Sequence, residues 1–171
     1  MNDAPLYDIS FCSENEDDPP YQSAMRRAIE ATLHRHQAEH ARISIAVMGD
    51  EQMAQLNEQY LGHDGPTDVL TFDLSDRERT DDPPPPVGQL ASSHTPEIEG
   101  EIVLSIDTAT REAEVRDHSV ESEMALYVVH GTLHLLGHDD QSETDAAAMH
   151  EIENAILSEV GLDPAFGSEE L

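Results

Sequence analysis

The spacing of apolar and polar residues changes several times along the chain, and the pattern predicts an α+β fold. Alternation of apolar and polar residues over residues 6–12 and 42–48 is typical of half-buried strands. Two further strands are predicted over residues 67–72 and 101–105. Helices are predicted over residues 21–36, 50–60, 107–117, 120–136 and 142–160. We therefore expect a small mixed sheet with helices packed on it.

The fourth predicted helix is apolar on most sides, so we expect it to run through the core. Its apolar residues are Val120, Met124, Val128, Val129, Leu133 and Leu136. Ser119 is the expected cap residue at its start. The second helix is more ordinary: Asp50 is the expected cap, and Met53, Leu56 and Tyr60 form the predicted buried stripe.

Length indicates about one domain over residues 1–171, interrupted by one irregular segment. Residues 73–98 contain four consecutive prolines and several acids, and they offer little that could be buried. We expect a flexible, acidic, proline-rich insertion there, and a loose acidic tail over residues 162–171. No internal repeat is visible.

Cysteine content and hydropathy favour a cytoplasmic location. Cys12 is the single cysteine, so no internal disulfide can form, and a reducing compartment is allowed. The first residues lack the basic and apolar regions of a signal peptide. The longest apolar stretch, residues 124–136, is too short to span a bilayer, so no membrane partner is expected.

Charge argues against a nucleic-acid substrate. The chain has 37 acidic and 8 basic residues, a formal net charge of −29, and all eight basic residues are arginine. Affinity for nucleic acid normally depends on basic contacts to phosphate. A salt-rich cytoplasm would make this acidic composition compatible with a nucleic-acid substrate, since the Debye length falls to about 3 Å at 1 M salt. We hypothesise a halophilic source; an acidic surface kept for solubility is the alternative.

The segment HGTLHLLGHDD, residues 130–140, carries the clearest chemical signal. His130 and His134 are four residues apart in a helical context, so their imidazoles share one helix face and could bind one zinc ion. Gly137 lets the chain leave the helix in a left-handed conformation. That turn could bring back Asp140 as a third ligand, with His138 as its rival. Two satisfied core histidines are the alternative to a metal site.

The same segment can be compared with the long zincin signature H-E-x-x-H-x-x-G-x-x-H. His130, His134 and Gly137 fall in register, and Asp140 occupies the third ligand position. The glutamate that serves metalloproteases as general base is replaced by Gly131. Proteolysis is therefore a weak alternative. A glycine inside a helix costs about 1 kcal/mol relative to alanine, which indicates close approach of a substrate or tight packing at this position.

Three blocks together resemble the YbeY family of zinc-dependent endoribonucleases. The histidine segment is similar to that family's H-G-x-L-H-L-x-G-Y-D-H signature. Leu56-Asn57, Tyr60 and residues 66–72 resemble its L-N-x-x-Y-R…P-T-D-V-L-S-F stretch, and residues 100–105 resemble its G-D-I-V-I-S strand. The resemblance covers residues 42–160, with the blocks in family order. It implies one Zn²⁺ per chain and a role in rRNA maturation and ribosome quality control.

Two departures from the family pattern affect the expected site. Asp140 stands where the family has its third zinc histidine, and His138 stands where it has tyrosine. Sites with two histidines and one carboxylate still catalyse hydrolysis, so we expect His130, His134 and Asp140 as the metal ligands. Leu61 replaces an arginine whose planar fork would suit phosphate. We hypothesise that Arg77 and Arg79, in the insertion, supply the missing contact.

The resemblance implies hydrolysis of phosphodiesters in single-stranded RNA, with rRNA precursors and the ribosome as partners. The expected nucleophile is a zinc-activated water. No side chain is assigned as general acid or base; His138 and Asp139 could act so or could orient the ligands. The rivals are a non-catalytic, zinc-stabilised ribosome assembly factor and, less favoured, a metallopeptidase.

Other polar clusters give weaker signals. The histidines at 34, 36 and 40 do not share one helix face, so surface positions are expected for them. His63, Asp64 and Asp68 lie in the second family-like block and could line the cleft, or simply form a turn.

Overall fold

The structure is a computed structural model, and it describes residues 5–13, 19–62, 64–75 and 97–165. Within these ranges strands and helices follow one another as the sequence pattern predicts, and the chain has an α+β fold. The order is β1 (Leu6–Ser13), α1 (Gln22–Arg35), β2 (His40–Met48), α2 (Asp50–Leu61), β3 (Val69–Asp73), β4 (Glu97–Ser105), α3 (Ile106–Arg116), α4 (Val120–Leu135) and α5 (Glu143–Glu159).

The four strands form one mixed sheet in the order β1-β2-β4-β3. β1 and β4 both run parallel to β2, whereas β3 runs antiparallel to β4 at the edge. The strand β2 shows the expected period of two: Ile43 and Ile45 are fully buried, while Arg42 and Ser44 are exposed. The small mixed sheet predicted from the sequence is therefore confirmed.

The helix α4 lies in the centre of the main core, as its apolar pattern predicts. It packs on β3 and β4 and contacts α1, α3 and α5. Along its length, Met124, Val128 and Leu133 have no exposed surface. Ser119 caps it as expected, since its side chain accepts a hydrogen bond from the Ser122 backbone N–H. Side chains on α4 are thus held by neighbours on several sides.

The helix α2 contributes to a second, smaller cluster. Met53 packs there with Leu70 and Val103. Two predictions for this helix are wrong. Gly49, not Asp50, is the N-cap residue, because the Asp50 side chain points to Ser105, Thr108 and Arg111 instead. Tyr60 is 57% exposed rather than buried.

The boundaries of the irregular segments also differ from the prediction. Strand β3 extends to Asp73 and β4 begins at Glu97, so both ends of the expected insertion belong to the sheet. Residues 76–96, including Arg77 and Arg79, lie outside the described residues. The start of the expected loose tail is packed: Ala165 is buried, and its backbone N–H donates to Asn154 Oδ1. Residues 166–171 lie outside the described residues.

Candidate metal centre

Two imidazoles lie side by side on α4. His130 and His134 are one helical turn apart, and their rings pack edge to face with centroids separated by 4.5 Å. The two Nε2 atoms are 3.0 Å apart. The side chain of His130 is 25% exposed and that of His134 is 29% exposed, so both can be reached from solvent. This exposure does not fit the alternative of two enclosed core histidines.

The Nδ1 atom of each imidazole faces an acceptor. His130 Nδ1 lies 2.8 Å from Glu153 Oε1 on α5, and His134 Nδ1 lies 3.0 Å from the His138 carbonyl oxygen. A carbonyl or carboxylate only accepts, so each Nδ1 carries the hydrogen and donates it. In a neutral ring the Nε2 lone pair is then free for a metal, which is the usual arrangement of metal-binding histidines.

The turn after α4 returns the chain toward these rings. Gly137 has φ +101°, which is the left-handed exit that the sequence predicts. The Gly137 N–H donates to the His134 carbonyl at 3.0 Å, and the His138 N–H donates to the Leu133 carbonyl at 3.0 Å. These two bonds form a Schellman motif, which fixes the direction of the chain after the helix.

Asp140 follows this turn and faces the histidine pair. Its Oδ2 lies 3.6 Å from His130 Nε2 and 3.8 Å from His134 Nε2. The neighbouring Asp139 has another role, because its Oδ1 accepts the backbone N–H groups of Asp140 and Gln141 at 2.8 and 3.2 Å. Asp139 therefore stabilises the turn that presents Asp140.

The donor set suits a divalent metal ion. One atom from each of His130, His134 and Asp140 lies within 4.8 Å of the other two. Zinc ligands lie about 2.0–2.2 Å from the ion, so two atoms on one ion are separated by at most about twice that distance. The measured separations of 3.0, 3.6 and 3.8 Å meet this condition. Two imidazoles and one carboxylate also match a known class of hydrolytic zinc sites.

Buried negative charge behind His130 also favours a cation. Glu153 is 1% exposed, and its Oε2 has no hydrogen-bond partner among the described residues. Burial alone would lower the pKa of His130, but the hydrogen bond and charge of Glu153, together with Asp140 and Asp68, raise it. A bound metal would provide the positive charge that the proton provides at low pH.

The ring of His138 points away from this cluster. Its Nε2 lies 2.9 Å from His36 Nε2, and the two rings meet edge to face. Burial lowers the pKa of both imidazoles. The structure thus groups Asp140, not His138, with His130 and His134. It also shows that the expectation of a surface position is wrong for His36, which is half-buried; His34 and His40 are exposed as expected.

A cleft of about 640 Å³ opens over the histidine pair. The strand β3 forms one wall through Thr71, Phe72 and Asp73, and Leu61 lies at the end of α2. Asp68 lines it as the sequence suggests, whereas His63 lies outside the described residues. Leu61 is 53% exposed, so the end of α2 presents an apolar side chain to the cleft. Among the described residues no arginine lines this cleft.

Gly131 lies on the side of α4 that packs against the sheet. A Cβ atom there would come within 2.9 Å of Thr71 Oγ1 and 3.0 Å of two methyl carbons of Ile102. Of the two explanations for a glycine in this helix, tight packing is the one that the structure supports. The position does not present a carboxylate to the metal centre.

A second buried acid lies near the start of α4. Glu123 has no exposed surface, accepts a short hydrogen bond from His118 and forms an ion pair with Arg116 at 3.7 Å. Tyr127 is its neighbour, and burial together with this carboxylate raises the pKa of the Tyr127 hydroxyl. The sequence suggested only a favourable first-turn acid, because periodicity does not reveal a charged residue that is buried with partners.

Glu153 is a residue of the candidate site that sequence reasoning missed. One signal could have revealed it: Glu153 lies four residues after Met149 and three before Ile156, so it falls on the buried face of α5. An acid at such a position requires a partner inside the protein.

Comparisons with known proteins agree with the sequence blocks. The family model described as Endoribonuclease YbeY matches residues 9–161. A curated relative from Desulfitobacterium hafniense, named Endoribonuclease YbeY, is 37% identical over 126 residues, which are 74% of this chain and 76% of the relative. A relative of the same name from Moorella thermoacetica is 39% identical over 122 residues, covering 71% of this chain and 74% of the relative.

A solved structure supports the fold. The solution structure of TM1509 from Thermotoga maritima aligns with a TM-score of 0.53 at 19% identity, covering 90% of this chain and 91% of that one. Within the described part of the chain, none of the helices has the length and hydropathy needed to cross a membrane.

Proposed function

The chain belongs to the endoribonuclease YbeY family, and we propose that it is a metal-dependent endoribonuclease whose zinc ion is held by His130, His134 and Asp140. The observation that carries the proposal is the convergence of these three donor groups, two of which, His130 and His134, line an open cleft. Two imidazole nitrogens and one carboxylate leave a fourth coordination position, as in catalytic zinc sites.

The side chains around the site would bind and orient the ion. His130 and His134 would bind through Nε2, since Glu153 and the His138 carbonyl each hold a proton on Nδ1. Asp140 would bind through Oδ2 and add a negative charge. A bound zinc ion supplies Lewis acidity, which polarises a phosphoryl oxygen and acidifies water. Both histidines line the cleft, so a substrate strand bound there would lie next to the ion.

The proposed substrate is single-stranded RNA, in particular rRNA precursors, with roles in rRNA maturation and ribosome quality control in the cytoplasm. The family and the names of the curated relatives support the reaction class. The charge of −29 requires screening before a polyanion can approach. At about 1 M salt, repulsion from remote carboxylates extends only about 3 Å, so the proposed reaction is best tested there.

The decisive experiment is cleavage of a labelled single-stranded RNA in molar KCl, with and without a chelator. A His130→Ala variant tests the site, and His40→Ala, which removes an exposed histidine on β2, is the matched control. Cleavage that requires both metal and His130, and that survives loss of His40, supports the proposal. Cleavage that the chelator and His130→Ala leave unchanged contradicts it.

A non-catalytic, zinc-stabilised ribosome assembly factor is the second candidate. The exposed Leu61 in the cleft favours it, because this position offers no cation to phosphate. A folded, zinc-loaded protein that leaves RNA intact would identify this function. The metallopeptidase alternative has no comparable support, since Gly131 is enclosed between Thr71 and Ile102 and supplies no general base.

A further inference from the structure

His36, the C-cap residue of α1, contacts the turn of the metal centre through its side chain. Its ring meets the ring of His138 edge to face, with centroids 4.9 Å apart and an interplanar angle of 86°. The two Nε2 atoms are 2.9 Å apart. The residues are 102 positions apart in sequence, so this contact ties α1 to the segment that follows α4.

The hydrogen-bond pattern determines which ring donates. His36 Nδ1 lies 2.8 Å from the Thr32 carbonyl oxygen, which can only accept, so the hydrogen of a neutral His36 is on Nδ1. Its Nε2 is then an acceptor, and His138 Nε2–H must donate to it. Thr32 is itself fully buried and is part of a helix packed on α4, so the ring of His36 is anchored to the core.

The backbone of His138 is bound to the metal centre at the same time. Its carbonyl oxygen accepts the hydrogen bond from His134 Nδ1 at 3.0 Å, and its N–H donates to the Leu133 carbonyl at 3.0 Å. Residue 138 is also two positions before Asp140, the third donor group. The orientation of His134 and the path to Asp140 therefore both depend on where residue 138 is held.

We infer that His36 is a positioning residue for the metal centre: by holding the His138 ring, it fixes the carbonyl that orients His134 and the turn that presents Asp140. This inference rests on the proposed metal site. It extends that site to α1, which contributes no ligand. A change at His36 should therefore weaken metal binding while leaving the donor groups themselves intact.

The test begins with three single variants of the full-length chain, and His138→Leu and the His36→Leu, His138→Leu double variant complete it. His36→Leu removes the acceptor, His36→Gln retains a polar group that reaches a similar position, and His34→Leu removes an exposed histidine from the same helix. The zinc Kd is measured by competition with a chelating dye. The His134 Nδ1–H proton is followed by NMR, and the thermal midpoint of the metal-free protein controls for stability.

We expect His36→Leu to raise the zinc Kd about tenfold, the lower end of the range for residues that support metal ligands. His36→Gln should recover most of this loss, and His34→Leu should bind as the wild type does. The His134 Nδ1–H signal should exchange faster with water in His36→Leu alone. A His36→Leu, His138→Leu double variant should bind zinc no more weakly than the weaker-binding of the two single variants. The reason is that either substitution alone already removes the same contact.

Three results would overturn the inference. One is wild-type zinc affinity and unchanged His134 exchange in His36→Leu. Another is an equal loss in the leucine and glutamine variants that follows a lowered thermal midpoint. The third is that the wild type binds a second equivalent of zinc and His36→Leu does not. That result would mean that His36 and His138 form a zinc-binding site of their own. A wild type that binds no zinc would instead refute the proposed metal centre, and this inference with it.

Discussion

Glu153 on α5 accepts a hydrogen bond from Nδ1 of His130 on α4, with 2.8 Å between the two atoms. The carboxylate is almost fully buried, whereas the histidine reaches the cleft. A buried carboxylate is unfavourable unless it is paired. This one contact therefore both stabilises the α4–α5 interface and orients the imidazole ring of His130. It also means that the candidate site depends on a helix that contributes no donor group.

Replacing Glu153 by glutamine should weaken metal binding about 10- to 100-fold. The amide can still accept the Nδ1 hydrogen, but it removes the negative charge that makes His130 more basic. Isothermal titration of zinc into the metal-free chain measures the effect. Glu151→Gln, an exposed change on the same helix, is the matched control. Equal affinity in the two variants would show that Glu153 does not support the site.

The Asp50 carboxylate should make the fold sensitive to acid. Burial alone would raise its pKa, but hydrogen bonds from Arg111, Ser105 and Thr108 lower the pKa to about 2, below the ordinary value of 3.8. The contribution to stability is therefore complete above pH about 4 and is lost as the pH falls through about 2. Because the group is partly exposed, we expect only about 1–2 kcal/mol.

The measurement is urea unfolding of wild type and Asp50→Asn between pH 6 and 2. The difference in unfolding free energy should be about 1–2 kcal/mol at pH 6 and should decrease steadily as the pH approaches 2. A difference that stays constant over this range would mean that the charge of Asp50 is not responsible.

Gly131→Ala should lower the free energy of unfolding by about 1–3 kcal/mol. Alanine improves helix propensity by about 1 kcal/mol, but the added methyl would press on Thr71 and Ile102 of the sheet. Chemical denaturation gives the value. Ala147→Gly, at an exposed position of α5, measures how much the difference in helix propensity between alanine and glycine changes the free energy of unfolding without a packing effect. A more stable Gly131→Ala protein would show that the sheet yields to the methyl group.

Leu61→Arg tests whether the cleft can accept a phosphate contact. If RNA binds there, the new guanidinium should increase affinity and make the dependence of log K on log salt steeper by about 0.7 per phosphate contact. Fluorescence anisotropy of a short single-stranded RNA across a KCl series measures both. Leu74→Arg adds the same charge at an exposed leucine that does not line the cleft. An identical gain from both variants would indicate a general charge effect.

The net charge of −29 leads to a prediction about salt. Self-repulsion among carboxylates destabilises a compact chain, and screening shortens its range from about 30 Å at 0.01 M to about 3 Å at 1 M. The free energy of unfolding should therefore rise between these KCl concentrations. Urea denaturation at constant pH measures it. A value that stays flat or falls would remove the support for a halophilic source.

Much of the fold could be predicted because its signals are local. The alternation around Ile43 and Ile45 and the apolar surface of α4 both come from the repeat of the element itself. Tyr60 shows the limit: it lies at the expected helical position and its ring meets Phe72 of β3 at 5.3 Å, yet 57% of the residue stays exposed. How far a side chain is buried depends on the surface that its helix packs against. The spacing of residues along that helix carries no information about this surface.

The same distinction holds for the candidate site. The i, i+4 spacing of His130 and His134 and the glycine exit at Gly137 predicted two donor groups and the turn toward Asp140. Glu153 and His36 could not be placed in this way, since they come from other helices and only packing brings them to residues 130 and 138. The donor groups lie within eleven residues, whereas Glu153 and His36 lie far from them in the sequence.

The antiparallel pairing of β3 with β4 has a consequence for how this sequence can vary. Asp73 pairs with Gly100, and the Leu74 N–H still donates to the Glu99 carbonyl at 2.8 Å, so the connection between the strands leaves and returns at adjacent points. Loop-closure entropy grows only with the logarithm of length, about 0.6 kcal/mol per doubling. This hairpin is therefore a permissive position, where segments of very different length could be exchanged by evolution or by design without altering the strand register beneath α4.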